Sequence, residues 1–189
     1  MIGNTVAFLT SKDPDGRPNV MTVMPTDFVA FAPYLVGVAI KPSNFSHRCV
    51  VEAGQFGLSV PPGALAKELN YCGIVSGREI DKFTAIDLEP VSGAELDVPR
   101  LGGCIRYYEC KVKEVRRYGS HDFFVAERVL LDESPDIKDA AGNYIVTEKT
   151  VPIVSYTGYD FWCLSRKVSD YTADPEQLLE TIKNQRDAG

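Results

Sequence analysis

Apolar positions in this chain fall in short runs, separated by polar breaks that hold proline or glycine. Residues 6–10 form one apolar run, stopped by the turn-forming stretch Ser11-Lys12-Asp13-Pro14-Asp15-Gly16. Residues 18–24 form the next, with Val20, Thr22 and Met24 on one face and Asn19, Met21 and Val23 on the other. The spacing predicts a hairpin. Pro25 and Pro33 are expected to bracket a loop containing Asp27 and Phe28. Residues 34–40 are continuously apolar, as in a strand buried on both faces.

A polar stretch, Lys41-Pro42-Ser43-Asn44-Phe45-Ser46, leads into a short helix predicted over 47–53, with Ser46 as N-cap and Gly54 just past the end. Phe56, Leu58 and Val60 alternate with Gly57 and Ser59, a half-buried strand. A helix follows over 64–70, a mixed segment over 71–83 and a strand over 86–91. Residues 104–117 and 123–131 read as a long hairpin turning at Gly119-Ser120-His121-Asp122, its first strand curved or bulged. After a polar excursion over 132–143, residues 151–155 and 159–164 supply closing strands. Asp174-Pro175-Glu176-Gln177 starts a final helix over 174–187. Many short strands with a few inserted helices predict a mainly β, closed or partly closed antiparallel barrel, in one domain spanning 1–189 with the barrel over 1–165. Alternating β-α units and a G-x-G-x-x-G turn after a strand are both missing, which argues against a dinucleotide Rossmann domain.

Composition narrows the picture only a little. The chain has 189 residues, 20 basic against 26 acidic, for a net charge of −6. There is no basic footprint for nucleic acid and no apolar run of membrane-spanning length. Five cysteines, an odd number without a C-x-x-C pair, and two histidines offer little to a metal, so no metal site is expected. Residues 1–10 do not read as a signal peptide, and the cysteines are read as reduced thiols of a cytoplasmic protein.

Candidate chemistry lies in three places. Ser43, Asn44, Phe45 and Ser46 precede a helix start, where free amides and hydroxyls can hold a phosphate; the local sequence alone favours Ser46 as a simple cap. Lys41, His47 and Arg48 flank them. In the segment from Tyr71 to Phe83, Gly73, Ser76 and Gly77 permit close approach of a planar ligand and Lys82 offers a charge; taken alone, the segment favours a turn with a surface cluster of Arg78, Asp81 and Lys82. His121 at a hairpin corner can act as an acid or be structural. Trp162, Tyr156, Tyr159 and Phe161 can wall a pocket or belong to core.

Taken in order, several stretches resemble the flavin reductase-like family, and most closely its flavoredoxin-type branch. They are Pro18-Asn19-Val20-Met21-Thr22, the run from Pro33 to Ile40, Ser43-Asn44-Phe45-Ser46, the run from Ala53 to Pro61, and Cys72-Gly73-Ile74-Val75-Ser76-Gly77-Arg78-Glu79-Ile80-Asp81-Lys82-Phe83. The similarity covers residues 5–131 well and the closing strands more loosely. It implies a Greek-key split β-barrel with short added helices, binding FMN non-covalently at the interface of a homodimer. It also implies an NAD(P)H:flavin reductase-like activity, or electron transfer through bound flavin without a nicotinamide site, with a redox partner protein as one acceptor. Through it, Met21, Thr22, Val23, Met24, Pro25 and Thr26 are expected along the isoalloxazine edge, and Ser43, Asn44, Phe45 and Ser46 on the phosphate. Cys72, Ser76, Gly77 and Lys82 are expected on the ring or phosphate side, and His121 on the nicotinamide side. Three departures stand out: Ser120 replaces an acid before His121, the phosphate loop holds no Arg or Lys, and Met24-Pro25-Thr26-Asp27 replaces a tryptophan-rich stretch.

Overall fold

A computed structural model describes residues 4–147, 149–155 and 160–163. In chain order its strands are β1 (Asn4–Thr5), β2 (Ala7–Lys12), β3 (Pro18–Val23), β4 (Thr26–Phe31) and β5 (Tyr34–Ile40). Helix α1 (Phe45–Ala53) and β6 (Gln55–Val60) follow, then α2 (Ala66–Ile74) and α3 (Lys82–Ala85). The remaining strands are β7 (Pro90–Ser92), β8 (Pro99–Leu101), β9 (Arg106–Tyr118), β10 (His121–Glu133), β11 (Ile153–Ser155) and β12 (Phe161–Cys163). The principal sheet runs β3-β2-β6-β9-β10-β5-β4, and every described strand pairing is antiparallel. Its edge strands β3 and β4 do not pair with each other, so the sheet forms a split barrel rather than a closed one.

The period-2 side-chain alternation explains why β2 is buried along most of its length. Ala7 and Leu9 point into one core with Val38, Phe56 and Phe124. Phe8 points the other way, into a second core with Val20, Leu69, Phe83 and Leu101, under α2 and α3. Strand β6 is buried on both faces too, where one exposed face was expected. Its second face is covered by the β8 segment: Ser59 Oγ accepts from the Leu101 amide at 3.1 Å. A Cβ at Gly57 would collide with Thr10 and lie 2.9 Å from the Pro99 carbonyl oxygen.

Other expectations need correcting. The segment between Pro25 and Pro33 is not a loop: most of it is β4, laid antiparallel on β5. Strand pairing prevails there over the proline punctuation, because Pro25 precedes the strand and Pro33 sits in the turn after it. Strand β5 is not buried on both faces throughout, since Ala39 is exposed and Tyr34 and Leu35 are half-buried. The segment over 86–91 yields only the short β7. Strand β9 carries the expected irregularity, with register shifts against β10 between Val125 and Ala126 and between Arg128 and Leu130. Phe161 packs against the second core while Trp162 is 56% exposed. Tyr156, Tyr159 and the helix expected over 174–187 lie outside the described residues. No helix among the described residues is long and apolar enough to cross a membrane.

Candidate functional site

Helix α1 begins two residues earlier than a Ser46 cap requires. Asn44 is its N-cap, with φ −73° and ψ 140°, and its side chain makes no capping hydrogen bond. The first-turn amides of Phe45 and Ser46 therefore have neither an intrahelical acceptor nor a side-chain cap. Gly54 ends the helix at φ 64°, as its place in the sequence implies.

Ser46 is turned inward and buried. Its Oγ accepts from Asn19 Nδ2 at 2.8 Å, and the same amide nitrogen reaches Ser11 Oγ at 3.2 Å. Asn19 is 5% exposed, yet its Oδ1 has no hydrogen-bond partner. A buried, unpaired carbonyl is costly unless a donor reaches it. Gly77 lies against this oxygen. A Cβ there would collide with Asn19 Oδ1 and sit 3.2 Å from a ring carbon of Phe45. A Cβ added at Gly73 would lie 3.3 Å from Thr22 Cβ, a tight contact. The two glycines let the end of α2 and the segment after it lie directly on β3 and the α1 start.

Lys82 fastens that segment. Although only 4% exposed, its Nζ donates to the carbonyls of Cys72 at 3.0 Å and Val75 at 2.9 Å. Burial lowers its pKa from the ordinary lysine value. Asp81 caps the following turn, accepting from the amides of Phe83 and Thr84. The Cys72 side chain belongs to the second core, and burial pushes its thiol up to about 11. It meets this cluster through its carbonyl, with the thiol neutral. Ser76 Oγ accepts from the Arg78 amide at 3.3 Å.

A cavity of about 870 Å³ opens beside this cluster, and Asn19, Phe45, Gly77, Arg78 and Lys82 are among the residues that line it. Of the sequence candidates, Phe45, Gly77 and Lys82 border it directly. Ser43 is exposed and Asn44 half-buried at the mouth of α1. Along β3 and beyond, Met21 and Val23 pack with the barrel core, and Thr22 donates to the Leu69 carbonyl. Met24 is 54% exposed, Pro25 half-buried, and Thr26 exposed at the start of β4. Because β3 is an edge strand, one side of its backbone ladder has no strand neighbour among the described residues.

His121 begins β10, half-buried, its Nδ1 2.9 Å from Ser120 Oγ. Strand alternation sets it on the opposite face from Asp122. Asp122 reaches His47 of α1: Nε2 and Oδ2 are 2.7 Å apart. It also accepts from Arg117, and that bond together with His47 pulls its carboxyl down to about 2 despite the opposing effect of burial. Consecutive residues of one helical turn therefore hold two parts of the fold: Ser46 holds β3 and His47 holds β10.

Sequence reasoning missed three of these groups. Asn19 was only a strand residue, although it opens the Asn-Val-Met-Thr run. Asp122 was only a turn residue. Arg78 was read as surface charge and is exposed, but its contact with Phe45 went unseen: its guanidinium carbon stands 5.9 Å from the centre of that ring. Arg48 is instead committed to Glu52 at 2.6 Å.

The fold is a split antiparallel barrel, with an uncapped helix start beside a buried unpaired amide oxygen. The sequence profile of the "Flavin reductase like domain" matches residues 1–151, and the chain belongs to that family of flavin-related oxidoreductases. An uncharacterised protein of Archaeoglobus fulgidus is 32% identical over 123 residues, 65% of this chain and 70% of that protein. The flavoredoxin of Desulfovibrio vulgaris superposes with a TM-score of 0.83 at 21% identity, over 92% of this chain and 93% of that one. The FMN-binding protein of Thermus thermophilus, solved with 1-cyclohex-2-enone, superposes with a TM-score of 0.77 at 25% identity, over 90% and 91%.

Proposed function

We propose that the protein is an FMN-dependent oxidoreductase of the NAD(P)H:flavin reductase type, passing electrons from a reduced nicotinamide nucleotide to flavin, a partner protein or a small acceptor. The observation that carries this reading is the uncapped start of α1 beside the buried, unpaired Oδ1 of Asn19. A phosphate fits the first, through amides and the helix dipole. A ligand hydroxyl fits the second. The likeness to the FMN-binding protein of Thermus thermophilus supports the same ligand.

In this reading Ser43, Asn44, Phe45 and Ser46 hold the ribityl phosphate, and Asn19 accepts from the ribityl chain. The edge of β3 and the residues through Thr26 face the ring with main-chain groups. Lys82 fixes the Gly73–Gly77 backbone and keeps a positive charge beneath it. Bound FMN supplies the redox chemistry itself, and the protein supplies position and electrostatics. His121 flanks the nicotinamide. A homodimer with flavin at its interface fits the exposed apolar rim of β4, where Phe31 is 75% exposed. Five free cysteines, four of them buried, fit a reducing cytoplasm.

The test is the spectrum of the purified protein with FMN, which is expected to show oxidised flavin near roughly 450 nm, a property of the cofactor. Anaerobic NADH or NADPH is expected to bleach it. Failure to bind FMN overturns the proposal. The serine at 120 favours a second reading, an FMN electron carrier without its own nicotinamide site. There the flavin binds but is bleached only by a reduced partner protein.

A further inference from the structure

His47 is the third residue of α1, in the turn assigned above to the flavin phosphate. Its amide is already bonded to the Asn44 carbonyl at 3.1 Å, so it offers an anion no main-chain donor. Its ring is another matter. The side chain is only 15% exposed and lies edge-on to Phe124, with ring centres 5.3 Å apart. Nε2 stands 2.7 Å from Asp122 Oδ2. Arg117 also donates to that carboxylate, which stays ionised throughout the neutral range. An ionised carboxylate has no proton to give, so Nε2 carries the proton of this bond in every charge state of the ring. The second proton of the imidazolium therefore comes and goes at Nδ1, and an imidazole ordinarily titrates near neutrality.

Without that proton, Arg117 and Asp122 cancel and the cluster is neutral. With it, the cluster carries one positive charge in the first turn of α1. The elements packed around the helix bring no other group that titrates near neutral pH among the described residues. Strands β3 and β6 have no charged side chain, and β2 has only Lys12, paired with Asp97. The turn between β2 and β3 brings Asp13 and Asp15, both paired with Arg17. Helix α1 itself brings Arg48, paired with Glu52, and the thiol of Cys49, which burial pushes up. His121 lies on the opposite face of β10 from Asp122. We propose that His47 sets the affinity of this turn for phosphate through the proton on its Nδ1. Protonated, it adds a positive field to the amides of Phe45 and Ser46. Neutral, it leaves those amides to hold the anion by themselves. The inference rests on the flavin reading above, and it makes FMN binding draw a proton from the solvent.

The experiment titrates FMN, and riboflavin as the control without a phosphate, into the full chain by flavin fluorescence from about pH 6.5 to about pH 8. A phosphate monoester, with its second pKa at about 6, is mostly a dianion over this range. FMN affinity is expected to fall about five- to tenfold across it, and riboflavin affinity to stay level. His47→Gln keeps a donor for Asp122 but takes no second proton. It is expected to bind FMN at every pH as the parent does at the alkaline end, and thermal melts confirm that it is folded. A level FMN profile in the parent, or the same fall in H47Q, overturns the inference and leaves the flavin reading standing. Where H47Q does not fold, histidine-ring NMR of the parent decides, with H121Q leaving a single imidazole to assign. By reciprocity FMN must raise the titration midpoint of His47 and riboflavin must not. An unchanged midpoint overturns the inference. If neither flavin binds, the flavin reading fails, and the same NMR titration with inorganic phosphate decides: an upward shift of His47 keeps the inference and no shift removes it.

Discussion

His47 Nε2 lies 2.7 Å from Asp122 Oδ2, and through that contact the first turn of α1 is fastened to the start of β10. The carboxylate is held on its other side by Arg117. The pair joins the segment expected to hold a phosphate to the strand that carries His121.

Asp122→Asn is expected to lower the melting temperature at neutral pH and weaken FMN binding. The carboxyl sits at about 2 in the fold, against an ordinary value of 3.8. Because the folded value is depressed, its stabilisation is complete above the unfolded value. It is lost as pH falls through the interval from about 4 towards 2. Thermal melts from neutral to acid pH check this: the asparagine variant should lose less stability across that interval than the parent.

Ser43→Ala and Ser46→Ala should separate binding from folding. Ser43 is exposed, so its loss is expected to leave the melt unchanged and to weaken FMN severalfold. Ser46 accepts from buried Asn19, so its loss should weaken FMN and also cost about 1 kcal/mol of stability. Flavin titration and urea unfolding of both variants are the measurements.

Gly77→Ala inserts a methyl into the space between Asn19 Oδ1 and the Phe45 ring. Asn19 is anchored to Ser11 and Ser46, so it cannot swing away without breaking those bonds. The expected cost is about 1–3 kcal/mol in urea unfolding, with flavin affinity reduced as the amide is displaced.

Lys82→Met removes the donor that closes the end of α2. Two carbonyls, of Cys72 and Val75, lose their ammonium partner, and a loss of about 1–3 kcal/mol is expected. The parent's lysine titrates below its ordinary 10.5 because burial disfavours the charge. The unfolded chain then binds more protons between the two values, so this group makes stability rise with pH over that alkaline interval. The methionine variant should lack that rise, and urea midpoints measured across the alkaline range will show it.

Glu109 is fully buried near the start of β9 and accepts from the amides of Ala94, Glu95 and Leu96 and from Arg100. Burial alone would raise its pKa, but these donors outweigh burial and hold it below the ordinary value. Glu109→Ala is expected to cost about 3 kcal/mol, because Arg100 and three loop amides lose their common acceptor. Chemical denaturation checks it, with FMN binding to the folded fraction expected to persist.

What the sequence revealed depended on the range of the interaction. The hairpin of β2 and β3 was readable because Asp13 makes its own turn, accepting from the amides of Asp15 and Arg17. The end of α1 was readable because Gly54 alone permits the left-handed residue. The cap was misassigned because Ser46 has a better partner in Asn19, 27 positions away. The strand β4 was missed because its flanking prolines read as loop punctuation, although Thr26, Val29 and Phe31 are strand formers. Met21 through Thr26 were placed as a stretch, but the structure divides them between core, surface and strand end. The roles of Asn19, Asp122 and Glu109 needed the fold itself, since each depends on groups from a different part of the chain.

The split between β3 and β4 bears on how the site can vary over time. In a closed barrel, the outer ladder of β3 would be bonded to a neighbouring strand. Here those main-chain groups are left beside the candidate site, in the strand that carries Asn19. Recognition built on backbone amides and carbonyls is indifferent to which side chain is attached, and only proline removes the amide donor. The strand's sequence can drift while the hydrogen-bonding pattern it offers stays the same.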